Sequence, residues 1–229
     1  MLALLYDVHG NLPALEAVIA DAEAAGADGW VLGGDYALFG AWPAETVRRL
    51  RALERARWIR GNGERWTADP DDAPDNPVLP GAIEAAREAL GPEVVADLAS
   101  LPFSCPLEGM LVCHGSPLSD VRSFAPEPGG EDEELLDGAS APRIVFGHTH
   151  LPFARGGPGG VELVNPGSVG APLDGDRRAA YALVHPDGRL EPRRVEYDTE
   201  VAIMRLRDAF DPGHAWVGEF VKRLENASA

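Results

Sequence analysis

Leu4-Leu5-Tyr6-Asp7-Val8-His9-Gly10-Asn11, LLYDVHGN, is the stretch from which the rest of the chain is best approached. Apolar residues lead in from Leu2, then polar side chains arrive at alternate positions: Asp7, His9 and Asn11. A short apolar run of this kind suits a buried strand over 2–7. Asp, His and Asn at its end supply oxygen and nitrogen donors rather than packing. Asn11 also suits the cap of a helix starting near Pro13, because proline is tolerated in a first helical turn. Leu15, Val18 and Ile19 then keep helical spacing as far as Gly26.

Downstream the same pattern repeats. GWVLGGD (29–35) is an apolar strand ending in an acid, 43–56 is an Arg-rich amphipathic helix, and RWIRGN (57–62) is a third strand. The order β-α-β-α-β predicts a parallel sheet with helices against it. Residues 64–80 are rich in Pro and Asp and are expected as a surface loop, followed by two short helices at 81–90 and 92–99. Residues 64–100 are therefore expected as an insertion, a candidate lid, within a single domain spanning 1–229. FSCPL and GMLVCHG flank a Glu-Gly turn and predict a hairpin; EDEELLDG starts a helix; RIVFGHTH is a further strand. GGPGG marks a tight turn before the strand VELVN, two more strands follow at 179–185 and 189–197, and the C-terminus is helical. No internal repeat is present.

Five strand ends carry polar groups: Asp7 and His9 after the first, Asp35 after the second, Asn62 after the third, His114 after MLVC, and His148 and His150 after RIVFG. Singly, each has an ordinary explanation as a turn former, a helix cap or a satisfied core histidine. Together they gain a different meaning, because ligands collect beyond the carboxyl ends of strands in open α/β sheets. Imidazole with carboxylate and amide oxygen suits Mn, Fe, Zn, Co or Ni better than Ca or Mg. Seven ligands exceed the needs of one such ion. Two ions sharing a carboxylate use them, and such pairs, about 3.5–4 Å apart, clamp phosphoryl groups and generate a hydroxide.

DVHGN, GGD, IRGNGE, CHG and GHTH, in that order, resemble the motifs of the calcineurin-like metallophosphoesterase superfamily. DVHGNLPALEAV and NPGSVG (165–170) are similar to the small bacterial and archaeal members, the YfcE-like phosphodiesterases. The resemblance runs from Leu4 to about Tyr181. It implies a four-layer αββα sandwich of two mixed sheets flanked by helices. It implies one metal on Asp7, His9, Asp35 and His150, and a second on Asp35, Asn62, His114 and His148, with Asp35 bridging. The implied reaction is hydrolysis of phosphodiester bonds in small nucleotide-type or aryl substrates by a metal-bridging hydroxide. Asp35 and Asn62 carry the catalytic roles; Asn11, Asn62 and Arg65 are the expected substrate contacts. Mn is the first expected metal.

One position departs from the superfamily. A leaving-group histidine usually follows the asparagine, and here Gly63 does, then Glu64. Loss of a general acid typically costs about 10²–10⁴ in rate, so leaving groups that need little protonation are expected. Glu64 is expected chiefly as a hydrogen-bond acceptor beside the ligands. The same departure supports an alternative, a non-catalytic metal-binding scaffold that keeps the fold.

Composition narrows the partners. Twenty Lys+Arg against 37 Asp+Glu give a net charge of −17, which repels long nucleic acid. No apolar run reaches membrane-spanning length. Cys105 and Cys113 are expected to be reduced, which suits a cytoplasmic protein. The acidic surface does not forbid a homo-oligomer.

Overall fold

The computed structural model describes residues 1–211 and 213–228. In chain order the elements are β1 (Leu2–Leu5), α1 (Leu12–Ala24), β2 (Gly29–Leu32), α2 (Pro43–Arg51), β3 (Ala56–Trp58), α3 (Asn62–Ala68) and α4 (Leu79–Ala99). There follow β4 (Ser104–Leu107), β5 (Met110–Cys113), α5 (Asp132–Leu135), β6 (Arg143–Val145), β7 (Phe153–Gly156) and β8 (Glu162–Asn165). β9 (Ala179–Val184), β10 (Leu190–Val195), α6 (Thr199–Ala209) and α7 (Ala215–Asn226) complete the chain.

Two mixed five-stranded sheets result. The first has the order β10-β9-β1-β2-β3, the second β4-β5-β6-β8-β7. β1, β2 and β3 run parallel, as do β5, β6 and β8, so both sheets send several carboxyl ends in a common direction. β9 and β10 close one edge of the first sheet antiparallel; β4 and β7 form antiparallel edges of the second.

Alternation along the strands builds the layers. Leu4 and Tyr6 meet Val31, Val112, Val145, Val164 and Ala182 between the sheets. Ala3, Leu5 and Leu32 point the other way, onto Leu15, Val18 and Ile19 of α1 and Val47 and Leu50 of α2. On the far side, Ile144, Phe146 and Leu163 pack under Phe124 and Leu135. Burial on both faces explains why these strands read as unbroken apolar runs. Each such side chain contributes about 1.5–3 kcal/mol. The four-layer αββα sandwich expected from the sequence is the observed fold. A further cluster joins Trp66, Leu79, Ile83 and Ala86 to Ile203, Leu206, Trp216, Phe220 and Leu224, so α3 and α4 pack on α6 and α7.

The local expectations need three corrections. Part of the expected loop 64–80 is helical, because Glu64 reaches back to accept the Gly61 N–H at the start of α3 (2.7 Å) and Trp66 is buried on its inner face. β7 was absent from the expectation; it pairs with β8 across the Pro158–Gly160 turn. The strands also stop short of their polar ends: β1 stops at Leu5 and β2 at Leu32, because the donors sit on turns with positive φ. The break between the helices at 81–90 and 92–99 corresponds to Gly91, whose φ of 73° interrupts α4. Cys105 and Cys113 are both free thiols. No helix among the described residues is long and apolar enough to cross a membrane.

Candidate metal centre

The turns after β1, β2, β5 and β6, together with the first residue of α3, bring the seven sequence-predicted ligands together. Asp7, His9, Asp35, Asn62, His114 and His150 are buried and His148 is half-buried. Donor atoms of Asp7, His9 and His150 lie within 4.8 Å of one another, and so do those of Asp7, Asp35 and His114. Asp35 spans both halves: Oδ2 is 3.8 Å from His9 Nε2 and Oδ1 is 3.5 Å from His114 Nε2.

Second contacts aim the imidazoles. Nδ1 donates to a carbonyl in three of them: His9 to Leu38 (3.0 Å), His114 to Gly33 (2.8 Å) and His150 to Ala171 (2.5 Å). A carbonyl can only accept, so Nδ1 carries a proton and Nε2 faces inward, presenting its lone pair when the ring is neutral. The NPGSVG segment holds this geometry. Ser168 Oγ donates to the Asp7 carbonyl and accepts from the Ala171 N–H, while Asn165 Nδ2 donates to the Gly147 carbonyl. Asn11 caps α1 through its oxygen and donates to the Gly170 carbonyl and the Tyr197 hydroxyl. It caps the helix, as the sequence suggested, and also braces the first loop.

The centre is crowded with acceptors that lack a donor. Asp7 Oδ1 is buried without a hydrogen-bond partner. His9 Nε2 and His150 Nε2 face each other at 3.1 Å. The Asn62 oxygen lies 3.0 Å from His114 Nε2, 2.8 Å from His148 Nδ1 and 3.1 Å from the Asp120 carbonyl. Turned by 180°, the amide would donate to these groups; with a cation among them, its oxygen faces inward. Carboxylate, imidazole and amide oxygen converging with the inner Asp7 oxygen left unpartnered form a set that fits divalent transition-metal ions.

Electrostatics agree. Burial disfavours charge on His9 and His148, whose pKa values fall to about 3 and about 4. Burial also opposes charge on His114 and His150, yet the Asp7 and Asp35 carboxylates outweigh it and raise both. Burial alone would raise Asp7, but His150, His114 and His9 hold it below the usual carboxylate range. Burial raises Asp35. The pocket thus seeks positive charge at its middle.

Glu64 shapes the turn beneath these ligands. Its carboxylate accepts the N–H groups of Asp35 (2.8 Å), Tyr36 (2.8 Å) and Gly61 (2.7 Å). Burial, with Asp35 adding repulsion, pushes its carboxyl up to about 7. Gly63 donates its N–H to Asp35 Oδ1 (2.7 Å), and a Cβ there would lie 2.8 Å from that oxygen. Arg65 stands near the His148 side with its guanidinium committed: it bonds Asp120 through Nε and a terminal nitrogen, and Asp72 through the other.

Residues 1–189 match the Calcineurin-like phosphoesterase superfamily domain. The chain belongs to that superfamily. A metallophosphoesterase from Sphaerobacter thermophilus is 29% identical, with 99% of each chain covered and a TM-score of 0.83. A hypothetical protein from Pyrococcus horikoshii OT3 shares the fold at 22% identity, with each chain fully covered and a TM-score of 0.82. An uncharacterised protein of Methanocaldococcus jannaschii is 28% identical over 239 residues, covering 96% of both. The resemblance to bacterial and archaeal members of the superfamily holds, and it covers the C-terminal helices as well as the matched domain.

Those helices hold what the sequence left unseen. Phe220 of α7 stacks on Phe39 (5.8 Å between centroids, 14° between planes), and each ring stands about 6 Å from that of His9 (6.2 and 6.1 Å). The apolar spacing Trp216, Val217, Phe220, Val221, Leu224 marks a core-facing stripe. Nothing in that stripe says that it lies beside the candidate ligands.

Proposed function

We propose that the protein hydrolyses small nucleotide-type or aryl phosphodiesters using two divalent transition-metal ions. Asp7, His9, Asp35 and His150 would hold one ion, and Asp35, Asn62, His114 and His148 the other. Manganese is the first choice, with Fe, Zn, Ni and Co also suited to the donors. One observation carries the reading: buried acceptors from four turns and the start of α3 converge with too few donors to satisfy them, as at Asp7 Oδ1, which has no hydrogen-bond partner, and at the facing Nε2 atoms of His9 and His150. When bound, such ions lower the pKa of a water and offset charge on phosphoryl oxygens.

The chain's own groups supply the rest. Glu64 holds the Asp35 turn against the start of α3. The Asn62 amide has an oxygen for a cation and an NH₂ that can donate to a phosphate oxygen. Asn11 acts through the loop that carries Asp7 and His9. Arg65 stands as a rim contact whose charge Asp120 and Asp72 already share. No side chain at Gly63 can protonate the leaving group, so aryl and nucleotide leaving groups are favoured. Two free thiols fit a reducing compartment, and we place the protein in the cytoplasm.

The test is protein purified without chelator, assayed for metal content and for turnover of bis(p-nitrophenyl) phosphate and an alkyl monoester with Mn²⁺. Two ions per chain and preference for the aryl diester are expected. Preference for the alkyl monoester would contradict the leaving-group argument. Gly63 favours a second reading, a metal-binding scaffold; two ions per chain without turnover under any transition metal would establish it.

A further inference from the structure

α7 carries a cation that the proposed chemistry does not yet use. Arg223 lies three residues after Phe220, so the two side chains leave neighbouring positions on one face of the helix. Phe220 stands 6.2 Å from the ring of His9. Arg223 is half-buried, and its Nε is closed off from solvent with no hydrogen-bond partner. Among the described residues no carboxylate forms an ion pair with it. Arg60 and Arg65, on the opposite side of the centre, are both compensated by Asp120. An arginine that merely complements a helix C-terminus bonds the last carbonyls or extends into water. The Nε of Arg223 is shut off from water and bonds no carbonyl, while its terminal nitrogens are not among the buried unpartnered atoms and stay open to an incoming anion. A desolvated donor on an uncompensated cation is costly until an anion meets it.

We propose that Arg223 binds a non-bridging phosphate oxygen of the substrate on the His9 side of the metal centre. The inference rests on the phosphoesterase reading and extends the substrate site to α7, which lies beyond the residues matched by the superfamily domain. The planar fork of a guanidinium suits a phosphate group with two free oxygens. Phe39, half-buried and stacked on Phe220, would flank the same anion with an apolar wall.

Arg223→Met and Arg223→Lys test it. Metal content and thermal midpoint are compared with the parent first. Binding of inorganic phosphate is then measured by calorimetry, and KM and kcat with bis(p-nitrophenyl) phosphate. Arg223→Met is expected to retain its metal, to bind phosphate about tenfold more weakly or worse, and to raise KM in proportion while kcat changes less. Arg223→Lys keeps the charge and the stem without the fork and should fall between; it also reports if the Met variant fails to fold. Parent-like phosphate affinity and KM in the variants would overturn the inference, as would weakening fully accounted for by metal loss. A parent that binds phosphate through Arg223 yet turns over no ester would defeat the hydrolase reading and leave this one standing. A parent that binds no phosphate with or without metal would defeat this one.

Discussion

At the scale of single residues, the centre is built under strain. Asp7, His9, Asp35, His148 and His150 have φ values of 54°, 47°, 56°, 65° and 59°. Such backbone costs a non-glycine residue about 1–3 kcal/mol and persists only where its surroundings enforce it. Glu64 is one enforcing contact, since its carboxylate gathers three buried N–H groups. Glu64→Ala would leave those donors unpaired, and a loss of about 2–5 kcal/mol is expected in urea unfolding of the metal-free protein. Glu64→Gln keeps one acceptor oxygen and should lose less. A parent-like midpoint for the Ala variant would show that the three contacts are dispensable. Gly63 is constrained in another way. Gly63→His would supply the acid that many superfamily members have, but its Cβ would press on Asp35 Oδ1. Reduced metal content is expected, with no gain on alkyl esters; a gain with two ions retained would show that the turn can yield.

At the scale of elements, short strands aim long turns. The hydroxyl of Tyr36 reaches the carbonyls of Leu32 (2.6 Å) and Ile59 (2.5 Å), tying the ends of β2 and β3 just below Asp35 and Asn62. The β4–β5 hairpin offers a chemical check on the layers. Cys113 points into the covered face of the second sheet, and burial raises its thiol pKa above the usual range; Cys105 on the edge strand is half-buried. A thiol reagent should therefore modify one cysteine in the native protein and the second only after unfolding. Fast modification of both would contradict the burial of Cys113. Most of these elements were legible, because apolar strands and periodic helices announce themselves over four or more residues. α3 was not. Proline and aspartate dominate its neighbourhood, and what starts the helix is Glu64 bonding backward to Gly61, a contact that composition does not display.

At the scale of the whole molecule, the candidate ligands come from both sheets: Asp7, His9, Asp35 and Asn62 follow strands of the first, and His114, His148 and His150 strands of the second. Metal binding would therefore oppose separation of the two halves and stabilise the entire fold. Free metal at about 100 times its Kd adds about 2.7 kcal/mol per site. A rise in the thermal midpoint with Mn²⁺, reversed by chelator, is the expected result. A midpoint indifferent to all transition metals would argue that the acceptors are satisfied by protons instead. The net charge of −17 acts at this scale too. Excess duplex DNA should leave turnover of a small diester unchanged at moderate salt. Inhibition there would reveal a cationic surface that the totals conceal.

By itself, the sequence determined the alternation of strands and helices and the identity of seven candidate ligands, while the sandwich was implied by the family resemblance of its motifs. The alternation and the ligands depend on local periodicity and on donors placed at strand ends, both readable along one dimension. Tertiary structure decided which carbonyl meets Nδ1 in three of the four imidazoles, that Glu64 anchors two turns at once, that Arg65 is already ion-paired, and that α7 brings Phe220 beside His9. Those facts depend on contacts between residues as far apart as His9 and Phe220. An arginine in an amphipathic helix carries the same letter whether it faces water or an acceptor-lined pocket. Its environment is set by how the helix packs, and packing is a property of the folded whole.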